Sequence, residues 1–137
     1  MILGFDPGAL LARSYVLPRG PRVCLRLARS RDLAGLRQLF ERQEAEADEL
    51  ELIRLTRADP RRRLVICATA LVGGSETVVG VGAIQLGGGE TGDQPELVLV
   101  DEPLTEGLGE LLSDALVGRA RALTRARALA PSRSRAA

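Results

Sequence analysis

The sequence predicts an α+β (mixed α/β) fold with a mostly antiparallel central sheet flanked by helices, and three observations carry that prediction. Val23, Leu25 and Leu27 alternate with Cys24 and Arg26, the period of a strand, whereas Leu33, Leu36, Leu39 and Phe40 recur on one face of a helix. Leu64–Val72 and Thr77–Leu86 are short, nearly continuous apolar runs parted by Gly73-Gly74-Ser75-Glu76, which reads as a hairpin of buried strands. With 137 residues the chain has room for one core.

Taken in order, Asp6-Pro7 supplies an N-cap and a proline at the first helical position, so a short helix is expected through Leu10 and Leu11 to about Tyr15. Pro18-Arg-Gly-Pro21 stops it. After the first strand, Ser30 offers an N-cap and Asp32 an anion for the first turn of the next helix. A second helix carries Leu50, Ile53 and Leu55 and ends before Asp59-Pro60. Gly80 and Gly82 fall inside the strand Thr77–Leu86, where glycine marks a bulge or the close approach of another group. Gly87–Pro95 is a loop and Glu96–Val100 a further strand. Thr105 is placed to cap a long helix bearing Leu108, Leu111, Leu112, Ala115 and Leu116, running toward Leu129 before Pro131. This divides the chain into an N-terminal arm over 1–21, a domain over 22–130 and a polar tail over 131–137.

The composition is 45% hydrophobic and 27% charged with a net charge of +1, which excludes wholesale disorder. The chain has no His and no Trp, and all 19 basic residues are Arg. Imidazole acid–base chemistry and lysine Schiff bases are therefore excluded, and no metal site is expected. No apolar run reaches the roughly 18 residues of a membrane span, so the expected location is cytoplasmic and no membrane partner is expected. Cys24 and Cys67 each lie in an apolar run without a CxxC spacing and read as reduced core thiols. Charge is segregated: +4 over residues 1–63, −9 over 64–118 with no Arg, and +6 over 119–137. The basic end has no interleaved aromatic residue and suits a helix C-terminus, so nucleic acid is not expected as a partner.

Gly107-Leu108-Gly109 follows a strand and opens the long helix, where free backbone N–H groups can hold phosphate. With this turn in place, the chain resembles the GNAT family of N-acetyltransferases. Val23–Leu33, containing an R-x-A-x-x-x-D run from Arg26 to Asp32, resembles that family's first strand and the start of its first helix. Thr77–Ile84 is similar to its third strand, Leu97–Val100 to its fourth, and Thr105–Leu112 to its acyl-CoA pyrophosphate motif, Q/R-x-x-G-x-G/A.

The resemblance implies acetyl-CoA or another acyl-CoA as co-substrate, with Gly107, Leu108 and Gly109 on the pyrophosphate and Leu99 and Val100 offering main-chain groups to the pantetheine arm. It implies acyl transfer to a small-molecule or protein amine. No residue matches the family's catalytic acid, and Glu96 is the best-placed carboxylate for a base. The motif is degenerate, with Leu104 at the Gln/Arg position and Glu106 before the glycine, and the family's C-terminal strands have no counterpart. A charged CoA would need Arg61, Arg62, Arg63 or Arg119 brought close by folding. The alternative reading is a catalytically degenerate interaction or regulatory module. The strand Glu96–Val100 is expected to be an open edge that pairs with a second copy as a homodimer or with another protein, unless Tyr15-Val16-Leu17 covers it.

Overall fold

The computed structural model describes residues 14–18, 20, 22–46, 48–86, 96–100 and 106–129. Five strands, β1 (Ser14–Val16), β2 (Arg22–Leu27), β3 (Arg63–Val72), β4 (Ser75–Gln85) and β5 (Glu96–Val100), form one sheet in the order β1-β2-β3-β4-β5. Every neighbouring pair is antiparallel. Helices α1 (Leu33–Arg42) and α2 (Glu49–Thr56) connect β2 to β3, and α3 (Leu108–Leu129) follows β5.

Alternation along the strands divides the core into two layers. Leu64, Ile66, Ala68 and Ala70 of β3 join Val23, Leu25, Leu108, Leu112 and Leu116 on the α3 face. Val65 and Cys67 join Leu36, Leu39, Phe40, Leu52 and Leu55 on the α1–α2 face. Helices on both faces explain why residues 64–70 read as an unbroken apolar run. Between β3 and β4 the register shifts at Ala68/Thr69, so that Thr69 faces Val78 and Ala68 faces Gly80. Val79 is the extra residue, and the Arg42 side chain donates to the Val78 carbonyl beside it at 2.6 Å.

Glycines set the close approaches. A Cβ at Gly80 would lie 2.9 Å from Leu108 Cδ2 and 3.2 Å from Leu112 Cδ1, so α3 sits directly on β4 there. A Cβ at Gly35 would lie 2.7 Å from Val78 Cγ2, bringing α1 equally close on the other face. Gly73 and Gly74, with φ of 60° and 87°, make the two-residue turn that joins β3 to β4, as both positions of a type I′ hairpin require.

Several expectations are corrected. Tyr15 does not end a helix. Ser14–Val16 pairs with β2, Tyr15 opposite Val23, because the β-branched and aromatic residues complete that edge while Pro18 and Gly20 turn the chain, with the Gly20 N–H donating to the Leu17 carbonyl at 3.1 Å. The boundary drawn at residue 22 therefore cuts a hairpin, and residues 1–13 lie outside those described. Tyr15-Val16-Leu17 does not cover β5, since β1 is at the opposite edge of the sheet. Ser30 does not cap α1: Ser30–Asp32 is a 3-10 turn, and the Asp32 carboxylate takes the Arg29 N–H at 2.8 Å. Thr105, the Gly87–Pro95 loop and the tail from Pro131 lie outside the described residues. No helix among those described is long and apolar enough to cross a membrane.

Candidate functional site

Four of the residues singled out for acyl-CoA converge on Gly80. Val100 pairs with Gly80 and Leu99 with Val81, while Leu108 packs over Gly80 from the α3 side and is followed by Gly109 in the first turn of α3. The β4–β5 register then shifts, Gly82 facing Leu97, which leaves Val98 as an extra residue of β5. A bulge of this kind frees backbone groups from the ladder and bends the strand.

Gly107, at φ +91°, turns the chain into α3. Its carbonyl accepts the Leu111 N–H at 3.1 Å, so Gly107 is the N-cap residue and the N–H groups of Leu108, Gly109 and Glu110 have no acceptor within the helix. A side chain is disfavoured at Gly107 twice over, by its positive φ and by Pro18, whose Cδ would lie 3.3 Å from a Cβ there. The β1–β2 turn thus leans on the glycine turn from the side of the sheet, a contact that no local sequence signal announces.

Charge at this end opposes the shape. Glu106 and Glu110 are exposed beside the turn. The arginines that folding was expected to bring near are elsewhere: Arg63 pairs with Gln85 at the far end of β4, with Arg61 and Arg62 just before it, and Arg119 lies about 17 Å along α3 from Leu108. Glu96 is likewise exposed at the start of β5, opposite Ala83. It lies roughly 13 Å along the strand from Val100 and so is not brought to the turn.

The Arg26–Asp32 pair is the strongest polar feature among the described residues. Arg26 Nη1 and Nη2 each donate to one Asp32 carboxylate oxygen at 2.7 Å, and Asp32 is almost wholly buried. Burial pushes the Asp32 carboxyl up, but hydrogen bonds from Arg26 and the Arg29 N–H, with the charges of Arg26 and Arg31, outweigh it and hold the group below the usual range. The same hydrogen bond raises Arg26 against its own desolvation. Both groups are committed to each other, so the R-x-A-x-x-x-D run forms a structural corner.

Both cysteines are free thiols. Burial, with the nearby Asp32 charge, pushes the Cys67 thiol up to about 12. Cys24 is half-buried and helps to line an open recess of about 530 Å³ with Ser14, Thr69 and Leu71. Among the described residues no group of three His, Cys, Asp or Glu is placed to hold a metal ion. No protein-family model, no curated protein and no solved structure matches the chain.

Proposed function

We propose that this chain is a GNAT-like acyl-CoA binder that serves transfer of an acyl group from acyl-CoA to an amine. The observation that supports this most is that Gly80 is paired with Val100 of the bulged strand β5 and covered by Leu108, the residue that follows the Gly107 N-cap of α3. A bulged strand beside a helix N-terminus fits, in shape and in hydrogen-bonding type, an extended amide arm that ends in a pyrophosphate. The backbone N–H groups of Leu108 and Gly109 would hold the phosphates, and the main chain of Leu99 and Val100 the pantetheine. Such a co-substrate supplies a thioester open to attack by an amine. The amine's proton would pass to a carboxylate or water, and a β5 amide would meet the carbonyl oxygen.

The second reading, a catalytically degenerate interaction module, is favoured by Glu106 and Glu110 beside the turn and by the position of Arg61–Arg63 at the other end of the sheet. A helix N-terminus contributes only about 0.3–1 kcal/mol toward an exposed anion, and two carboxylates nearby oppose it by a comparable amount. The outer edge of β5, which no strand among the described residues pairs with, is where a second copy or another protein would add. Release of CoA thiol from acetyl-CoA in the presence of a panel of small amines and amine-bearing peptides separates the readings. Amine-dependent release supports the transferase, and binding without release supports the module.

A further inference from the structure

We propose that the end of the sheet opposite the glycine turn is a docking surface for the phosphate backbone of a nucleic-acid duplex. The fold gathers arginines there from segments far apart in sequence. Arg29 and Arg63 line one recess together with Ala58 and Pro60. Arg61 and Arg62 precede the Arg63–Gln85 pair that closes β3 and β4, and the Arg62 carbonyl accepts the Leu86 N–H at 2.8 Å. Helix α3 brings the rest. It starts over Gly80, and on the same face Leu64 and Ile84 are 1% and 2% exposed, whereas Val72, beyond Gly80 in the other direction, is 55% exposed. It therefore runs toward the Arg63–Gln85 row. From Leu108 to Ala120 is about 18 Å of helix and from Gly80 to Gln85 about 17 Å of strand, so Arg121 and Arg125 stand at or past the end of the sheet.

Arg29, Arg57, Arg61, Arg62, Arg121 and Arg125 are all exposed. The described carboxylates at this end are Asp59, 3.7 Å from Arg61, and Glu96. Among the described residues the opposite end carries Glu41, Glu44, Glu46, Asp48, Glu76 and Glu106, all exposed, against Arg22, Arg37 and Arg42, so the described charges are polarised along the strands. In the linear sequence these arginines are divided between residues 1–63, with a net charge of +4, and the basic C-terminal stretch; the fold brings the α2–β3 connection and Arg29 to the same end as α3.

The occupant follows from what accompanies the charge. Every cation is an arginine, whose fork matches phosphate oxygens in pairs. Among the described residues the exposed large apolar ones are Val16, Leu50, Leu71 and Val72, in β1, the first turn of α2 and the end of β3, so none of them stands with the basic cluster to insert into a lipid surface. The described aromatic residues, Tyr15 and Phe40, lie in β1 and near the end of α1, so neither stands with these arginines to stack a single-stranded base, which leaves a duplex backbone. The acidic end of a second copy competes poorly, because Glu49 already pairs with Arg37, Asp48 caps α2 through the Glu51 N–H, and Glu76 faces Arg26. The acidic end would also repel the duplex and so orient the approach.

The test is fluorescence anisotropy with labelled DNA and RNA duplexes of about 20 base pairs at low and moderate salt. Contacts to about four phosphates predict a loss of affinity on the order of 10²-fold between about 50 and 200 mM salt. Arg57→Ala with Arg62→Ala, and separately Arg121→Ala with Arg125→Ala, should each weaken binding and lower the salt slope by about 1.8. Arg22→Ala with Arg37→Ala, at the other end, should leave it unchanged. Absence of binding at the lower salt overturns the proposal, as does equal weakening by the Arg22/Arg37 variant. Binding to phosphatidylserine vesicles but to no duplex overturns it in favour of a membrane, and salt-sensitive self-association without duplex binding overturns it in favour of a second copy.

Discussion

The guanidinium of Arg26 grips both carboxylate oxygens of Asp32 at 2.7 Å across the corner where β2 turns into α1. Asp32 also accepts the Arg29 N–H, so one buried side chain fixes the end of a strand, the 3-10 turn and the start of a helix. Removing it leaves a guanidinium with 16% side-chain exposure whose remaining described carboxylate is the exposed Glu76 at 3.7 Å. Asp32→Ala should cost about 3 kcal/mol, in the range measured for breaking buried pairs, by urea denaturation. A loss under about 0.5 kcal/mol would show that the pair does not hold the corner.

The same pair sets an acid limit on stability. The carboxyl of Asp32 is held below its ordinary range in the folded chain, so its contribution is complete above the unfolded value near ~3.9 and is lost as pH falls through the lower folded value. Thermal unfolding followed from pH 6 to pH 2 should show stability falling below about pH 4, with a shallower fall in Asp32→Ala. Parallel curves for the two proteins would assign the acid loss to other carboxylates.

Two glycines should resist substitution for a packing reason that opposes propensity. Alanine at position 35 gains about 1 kcal/mol of helix propensity, yet its Cβ would lie 2.7 Å from Val78 Cγ2. Gly35→Ala should therefore destabilise by about 1–2 kcal/mol, and Val78→Ala in the same chain should recover much of the loss. Gly80→Val, against the buried Leu108 and Leu112, should destabilise by about 2 kcal/mol or more. Additive losses in the Gly35/Val78 cycle would refute the close approach.

Local patterns made β3, β4, α1 and α2 legible, because each is long enough for its period to show and lies against a layer with one preference. β1 was hidden: three residues carry no measurable period, and its partner is set by the Pro18–Gly20 turn rather than by its own pattern. The glycine turn could be read as a helix start, but its N-cap is Gly107 and its neighbour is Pro18, a long-range contact without a local signature. The bulge at Val98 depends on register, and the gathering of Arg29, Arg57 and Arg61–Arg63 with Arg121 depends on topology. Neither is written in any one segment.

If charge rather than shape limits the acyl-CoA site, Leu104→Arg with Glu106→Lys should tighten CoA binding, and the gain should shrink as salt screens it. No tightening at low ionic strength would mean that the backbone geometry itself is at fault.

The most direct measurement is a calorimetric titration of the unaltered protein with CoA and acetyl-CoA at low ionic strength. Weak, saturable heat is expected, and it should disappear in Gly109→Leu while the circular dichroism of that variant stays unchanged. No heat at millimolar CoA, or equal heat from Gly109→Leu, would contradict an acyl-CoA site at Gly107–Gly109.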